Sequence, residues 1–153
     1  MEFRAARTHQ ETVAGRGRPF TSRKTTMKYS IATTTTLGYQ QAITRVTEEL
    51  KKEGFGVLTT IDVKDTMKKK LNVDIEEYVI LGACNPPFAH KTLEAEPEIG
   101  QLLPCTVIVY RKGETTHVAA FDPVAMGAVV DNPAIQPIAG EVRERLVRVI
   151  AAL

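Results

Sequence analysis

The side chains best suited to chemistry lie in one stretch of the sequence, from Val79 to Cys105 (VILGACNPPFAHKTLEAEPEIGQLLPC). This stretch contains both cysteines, Cys84 and Cys105, together with His90. A thiol reacts as the thiolate, so its surroundings decide whether it acts as a nucleophile or a redox group. The sequence pattern predicts that Cys84 ends a strand and that a helix begins one or two residues later. Unpaired N–H groups at a helix N-terminus favour the thiolate, which makes Cys84 the candidate catalytic residue.

The two cysteines also have a simpler structural interpretation. Cysteine is among the most buried residue types, and Cys84 belongs to an apolar segment. The sequence has no CxxC motif, and two cysteines cannot form the disulfide framework of a small secreted protein. We expect both thiols to be reduced. Cys84 and Cys105 would lie close together if their strands are antiparallel neighbours, and at opposite ends of the sheet if a parallel crossover joins them.

Other chemistry finds less support in the spacing. The cysteines with His90 and His117 could in principle ligate zinc, but no CxxC or HxxxH pair is present, and we predict no metal site. Asn85 could orient a histidine in a Cys/His site, although a helix cap suits it better, and Asp122 likewise resembles a cap before a base. No P-loop, dinucleotide fingerprint or GxSxG motif occurs, so we expect no cofactor.

Length and composition limit the class of protein. A chain of 153 residues with 43% hydrophobic content suits one domain with a substantial core. The net charge of +2 is unevenly divided, because residues 1–26 hold six basic and two acidic side chains. The remainder is not basic, which argues against nucleic acid as a partner. With no apolar run of roughly 18 residues and no signal-peptide pattern, we expect a cytoplasmic protein without a membrane partner.

Residues 1–26 are predicted to be a basic, unstructured extension, because they show no apolar periodicity. One interpretation is that Met27 is the true start of the protein. Another is that the extension is a basic arm for an anionic partner. A single domain is then expected over residues 27–153.

The first half of that domain alternates strands and helices. Apolar alternation predicts a strand over 28–34, followed by a helix that is capped by Thr35 or Thr36 and has Ile43, Val46 and Leu50 on its buried side.

Gly54 predicts a Schellman ending of this helix, in which Phe55 contacts Leu50. A second strand is predicted over 55–63, with its apolar residues at period two on one face: Phe55, Val57, Ile61 and Val63. A short helix capped by Asp62 or Asp65 follows, and Lys68–Lys70 lie on its exposed side.

The second half starts with a strand, Tyr78–Cys84, that is apolar on both faces and must therefore be covered on both. Asn85 then caps a short helix that ends before Pro97. Strands at 105–110 and 116–121 form a hairpin. Asp122 caps a short helix, and the last helix carries one apolar stripe: Ile135, Ile138, Val142, Leu146, Val149 and Leu153.

This order predicts an α+β fold, a five-stranded and mainly antiparallel sheet with helices packed on one side. The helices are sufficient to cover only one face of such a sheet. The second face would expose apolar side chains, so we predict that the protein forms a homodimer through the central strands. The alternative is that the short helices and the 95–104 loop cover this face within one chain.

Three motifs in this order resemble a bacterial and archaeal family, the "domain of unknown function 302": ILGACNP (Ile80–Pro86), EPEIGQLLPC (Glu96–Cys105), and Asp122, Pro123 and Met126 ahead of an amphipathic C-terminal helix. The resemblance extends from about Met27 to Leu153. It implies a compact α+β domain with a curved sheet, similar to half of the TATA-binding-protein fold, that assembles as a homodimer. It implies no reaction.

Two functional hypotheses follow. The first is a dimeric module for small-ligand binding or for interaction with a partner, with its site in a groove beside 83–88 and 102–105 and these candidate ligand-binding residues: Asn85, Phe88, His90, Leu103, Cys105 and Asp122. The second is a thiol-dependent redox or catalytic protein that uses Cys84. A deep apolar pocket with a buried thiol favours the first hypothesis, and an exposed, acidic thiol favours the second.

Overall fold

Five strands form the sheet in the order β1-β5-β4-β3-β2, and every adjacent pair is antiparallel. The computed structural model describes residues 29–153, so the extension predicted for residues 1–26 lies outside the described residues. The elements in chain order are β1 (Ser30–Thr35), α1 (Tyr39–Lys52), β2 (Gly56–Asp62), α2 (Val63–Leu71), β3 (Tyr78–Cys84), α3 (Pro86–Ala95), a 3-10 helix (Pro97–Leu102), β4 (Cys105–Lys112), β5 (Thr115–Phe121), a second 3-10 helix (Pro123–Ala128) and α4 (Ile135–Ala151). The predicted α+β fold, with its antiparallel sheet and helices on one side, is confirmed.

The main core lies between the sheet and the two long helices. α1 contributes Ala42, Val46 and Leu50, whose spacing places them on one side of the helix. The inner face of the sheet supplies alternate residues of the three central strands, and the C-terminal half of α4 covers them: Val79, Leu81 and Ala83; Val107 and Val109; Val118 and Ala120; Val142, Leu146, Val149 and Ile150. Burial of these side chains provides the main stabilisation of the fold.

The outer face of the sheet carries two rows of side chains that cross the strands in register. The first row is polar and aromatic: Thr34, His117, Tyr110 and Tyr78. Its rings stack, with centroids 5.3 Å apart for Tyr78 and Tyr110 and 4.7 Å apart for Tyr110 and His117. The second row is apolar: Ala32, Ala119, Ile108, Ile80 and Ile61. The isoleucines and tyrosines of both rows lie outside the hydrophobic clusters of the described chain.

The C-terminus of α1 has the predicted Schellman geometry. Gly54 has φ +86°, the N–H of Phe55 donates to Leu50 O at 2.9 Å, and the N–H of Gly54 donates to Lys51 O at 3.1 Å. The prediction for the N-terminus is wrong, because α1 begins at Tyr39 after an extended Gly38 instead of at a threonine cap. The Thr35 hydroxyl instead accepts a hydrogen bond from the Leu37 N–H at 3.2 Å.

β2 contains an irregularity that the apolar alternation does not predict. Its register with β3 shifts between Val57 and Thr59, so one extra residue, Leu58, interrupts the ladder. Val57 pairs with Ala83 on the inner face, whereas Ile61 pairs with Ile80 on the outer face. The prediction of a single apolar face on β2 is therefore wrong.

β3 has the predicted bounds, Tyr78–Cys84, and α3 follows at Pro86. Asn85 occupies the N-cap position, but its side chain does not cap the helix. Pro86 and Pro87 lack N–H groups, which removes donors that a capping side chain would accept. No helix of the described residues is both long enough and apolar enough to cross a membrane.

Candidate functional site

An apolar pocket of about 280 Å³ opens where β3 ends and α3 begins. One wall is formed by Ala83, Cys84 and Asn85 and the first two turns of α3. The start of β4, with Leu103, Pro104 and Cys105, forms a second wall. The remaining wall comes from the second 3-10 helix and the N-terminal half of α4: Pro123, Met126, Ile135, Ile138, Ala139 and Val142.

The pocket lies between two hydrophobic clusters whose side chains do not fill the space where they meet. The main core ends at Ala83 and Val142, and a second, smaller cluster is built from Ile99, Met126 and Ile135. Both clusters contribute to the lining. Alanines stand at several lining positions, on β3, α3 and α4, and their short side chains leave the gap unfilled.

The register of the sheet brings the two cysteines to the same end. β3 and β4 are antiparallel neighbours, and Cys105 pairs with Ala83, the residue before Cys84. Both are free thiols in the structure, and both line the pocket. Burial, followed by the nearby Cys84, raises the pKa of Cys105 to about 11. Cys105 is therefore a neutral thiol at physiological pH, which suits an apolar wall.

Glu53, the C-cap residue of α1, connects three helices at one side of the pocket. Its carbonyl oxygen accepts hydrogen bonds from Asn85 Nδ2 at 3.3 Å and from Arg145 Nη1 at 3.1 Å. Arg148 binds its carboxylate through two hydrogen bonds of 2.9 Å. These bonds hold the pKa of Glu53 below its usual range, although desolvation opposes them. The Schellman turn thus fixes Asn85, which is buried, at the pocket wall.

Two cations flank the pocket residue Phe88. The Arg145 guanidinium carbon lies 5.2 Å from the centre of the Phe88 ring, and Lys91 Nζ lies 5.7 Å from it. Both distances are within the range of a cation–π interaction. Neither cation belongs to the pocket lining, so their positive charge lies beside the apolar pocket, next to Phe88.

The structure brings five of the seven predicted site residues together: Cys84, Asn85, Phe88, Leu103 and Cys105 line the pocket. His90 does not line it, and its exposed side chain lies 3.5 Å from Glu94. Asp122 is also outside the lining, because it accepts a hydrogen bond from Val124 N–H and pairs with Arg143 at 2.9 Å.

Sequence reasoning missed the contribution of α4 and the cation at the rim. The apolar stripe of α4 predicts one buried helix face and gives no sign of a pocket, although Ile135 and Ile138 line it. Arg145 lies off that stripe and looks like any solvent-exposed helix residue. The available signal was the placement of Pro86 and Pro97, which limit α3 to 10 residues, against the 17 residues of α4.

Within residues 29–153, no cluster of three or more His, Cys, Asp or Glu side chains could hold a metal ion. None of the histidines among residues 29–153 lines the pocket.

Comparison with known proteins shows the family to which this chain belongs. The model described as "Domain of unknown function DUF302" matches residues 31–153. This chain belongs to the DUF302 family. A crystal structure of an uncharacterized conserved DUF302 protein from Bacillus stearothermophilus is similar, with a TM-score of 0.77 and 30% sequence identity over 82% of this chain and 98% of that one. Comparison with functionally curated proteins gives no match.

The resemblance predicted from the three motifs is thus confirmed as membership of the DUF302 family. All the pocket-lining residues, from Phe55 to Val142, fall within the matched range. The described lining of the pocket therefore lies wholly within the range that matches the DUF302 family.

Proposed function

We propose that this DUF302 protein is a binding module that takes a small, mainly apolar molecule into the pocket between α3 and α4. The observation that carries the proposal is the pocket of about 280 Å³, in whose described lining only four side chains carry a hydrogen-bond donor: Cys84, Asn85, Thr92 and Cys105. The Thr92 hydroxyl already donates to Phe88 O at 2.6 Å. Such a lining is typical of small-ligand sites, which are concave and apolar with few polar groups.

The volume indicates the size of the ligand. An apolar cavity of about 150 Å³ holds benzene, and this pocket has about 280 Å³. A two-ring aromatic or a branched aliphatic molecule of similar size would fit. Leaving such a pocket empty sacrifices packing contacts, so filling it with an apolar ligand is favourable.

The test uses 2-naphthamide, a neutral two-ring probe whose fluorescence is easily followed because the protein has no tryptophan. We expect saturable binding of one molecule per chain. Ala139→Phe and, on the opposite wall, Ala89→Leu should abolish or strongly weaken binding, because both fill the pocket. Ala151→Phe places the same ring as Ala139→Phe at an exposed position of α4 and should bind as the wild type does. Equal binding by all four proteins would contradict a site in this pocket.

The alternative, a thiol-dependent protein that uses Cys84, has one observation in its favour. Cys84 lies beside Cys105 at the start of α3, where a thiol pair could exchange with a disulfide. Against it, the raised pKa of Cys105 keeps that thiol protonated, and no histidine of the described chain lines the pocket to act as a base. A cytoplasmic location, where thiols stay reduced, accords with the binding module.

The proposal includes assembly as a homodimer through the outer face of the sheet. The second row of that face is apolar on every strand, with Ile108 and Ile80 at its centre. Residues 1–26 are rich in Arg and Thr, and only Phe3, Val13 and Phe20 among them offer sizeable apolar surface to cover it. A second copy supplies the same apolar row, and a two-fold axis makes the contact self-complementary.

Sedimentation at low micromolar concentration tests the assembly. We expect a species of about twice the 16.9 kDa chain mass, and we expect Ile108→Glu to convert it to a monomer. Gln40→Glu changes the charge equally on the exposed side of α1 and should leave the dimer intact. A monomeric wild type would refute this part of the proposal without affecting ligand binding.

A further inference from the structure

We propose that the ligand is an amphipathic acid, with an apolar body in the pocket and one anionic group bound by Arg145 at the rim. This inference rests on the proposed binding function and specifies the chemical class of the ligand. Carboxylates are the simplest members of that class, because guanidinium binds them with two parallel hydrogen bonds.

The position of Arg145 is the first step of the argument. Arg145 belongs to α4, one turn after the pocket residue Val142, and its guanidinium lies over the ring of Phe88, which also lines the pocket. Stacking on an aromatic face leaves the N–H edges of a guanidinium free to bind a planar anion. A ligand that fills the pocket and emerges beside Phe88 would meet those N–H groups.

The second step concerns the charge of Arg145, which no carboxylate of the described chain neutralises at hydrogen-bonding distance. Its Nη1 donates to a neutral acceptor, Glu53 O, at 3.1 Å. The Glu53 carboxylate oxygen Oε2 is 3.9 Å from Nη1 and already accepts a hydrogen bond of 2.9 Å from Arg148. Arg148 therefore satisfies Glu53, and donors of Arg145 remain for an anion.

The third step is a second cation on the same ring. Lys91 Nζ lies 5.7 Å from the centre of Phe88, and no described carboxylate forms a salt bridge with it. Two positive charges beside Phe88, a lining residue of an apolar pocket, favour a ligand with a negative end. They also disfavour a neutral or cationic ligand of the same shape, because ligand binding at the rim displaces water from Arg145.

Two shape-matched probes test the inference. The first is 2-naphthoate, an anion, and the second is 2-naphthamide, its neutral counterpart. We expect the wild type to bind the anion at least about tenfold more tightly, since a hydrogen bond to a charged group is stronger than a neutral one. Raising the salt concentration should weaken binding of the anion and leave that of the amide nearly unchanged.

Arg145→Gln should reduce the preference for the anion to about twofold or less while the amide affinity stays within about twofold. Unchanged amide binding shows that the pocket of the variant is intact, since glutamine retains an N–H donor for Glu53 O. Lys91→Gln should lower the preference less, because a lysine binds an anion as a point charge. Lys112→Gln removes the same charge at the far end of β4 from Cys105 and should have no effect.

The outcomes separate the two proposals. If the wild type binds both probes equally, the acid-specific inference is wrong and the apolar binding function stands. If neither probe binds, both proposals are wrong. If Ala139→Phe still binds 2-naphthoate as well as the wild type does, the anion is held outside the pocket, and the inference is also refuted.

Discussion

α4 is one continuous helix, but its two halves pack in different environments. The C-terminal half, with Leu146, Val149 and Ile150, is covered by α1 and the sheet, and these side chains are at most 4% exposed. The N-terminal half faces α3 and the 3-10 helices and leaves a pocket of about 280 Å³. The apolar residue types are similar in both halves. The partner elements differ, since α1 is a regular helix of 14 residues and α3 is a 10-residue helix that begins with two prolines.

This comparison shows that an apolar stripe produces a closed core only where a regular partner helix faces it. Ridges of side chains interdigitate when both helices extend along the contact. A 3-10 helix has poorer hydrogen-bond geometry and eclipsed side chains, and it packs in short pieces. The predictions below compare the closed half of α4 with the open half.

The largest expected effect comes from truncating one apolar side chain in each half. Leu146→Ala should lower the free energy of unfolding by about 3 kcal/mol, because it creates a new cavity in a packed core. Ile138→Ala should cost about 1 kcal/mol, because Ile138 already borders an open pocket and is only partly buried. Urea denaturation of both variants measures the difference. Equal losses would show that the two halves are equally packed.

A smaller effect concerns Cys105, which tests whether the pocket wall excludes water. The folded-state pKa of this thiol is raised from 9.0 to about 11. A raised acid pKa means that the folded protein holds the proton more tightly, so stability present below pH 9 is lost as the pH rises toward 11. Relative to Cys105→Ala, the wild type should lose about 2 kcal/mol over that interval.

Tyr39 provides the background for that measurement. Burial, followed by Asp62 and Glu77, raises its pKa to about 12, so it causes a further loss of stability above pH 10. That loss occurs in the wild type and in Cys105→Ala alike, and the difference between their pH profiles isolates the thiol. Parallel profiles from pH 8 to 11 would mean that Cys105 is well solvated.

The smallest expected effect comes from adding volume. Ala139→Leu should leave the stability within about 1 kcal/mol of the wild type, or raise it, because the added carbons enter an existing pocket. The matched change in the closed half, Ala42→Leu, should cost about 1–3 kcal/mol, because it overpacks a fully buried position. Thermal unfolding of both proteins compares them directly. A stable Ala42→Leu protein would contradict the assignment of a closed half.

Short stretches of sequence were sufficient to predict those element ends that depend mainly on neighbouring residues. The bounds of β3 follow from an unbroken apolar run, and the end of α1 follows from the left-handed conformation that Gly54 accepts without a side-chain penalty. The start of α1 could not be predicted in the same way, since four threonines and a glycine offer competing caps. α1 begins after Gly38, whose N–H donates to Gln41 Oε1 at 3.2 Å, a capping-box bond from the third helical residue.

The candidate site could be predicted in part. The five predicted residues that line the pocket all come from the segment 84–105, which runs from the end of one apolar strand, through two prolines, to the start of the next strand. The α4 wall and Arg145 could not be predicted, because their proximity to that segment depends on the tertiary arrangement. The bulge in β2 also escaped prediction. Val57 and Ile61 are four residues apart, a spacing typical of one strand face, but the extra residue between them places them on opposite faces of the sheet.

That bulge has a consequence for how the molecule avoids aggregation. β2 is an edge strand, and the unpaired backbone groups of an edge can recruit an extended segment of another chain. The extra residue at Leu58 interrupts the ladder after Val57 and increases the local twist, so the edge offers no long flat template. Asp62, whose carboxylate caps α2, adds a charge at the end of the strand. Removing one residue at position 58 would therefore leave a straighter edge, one that could pair with an extended segment of another chain.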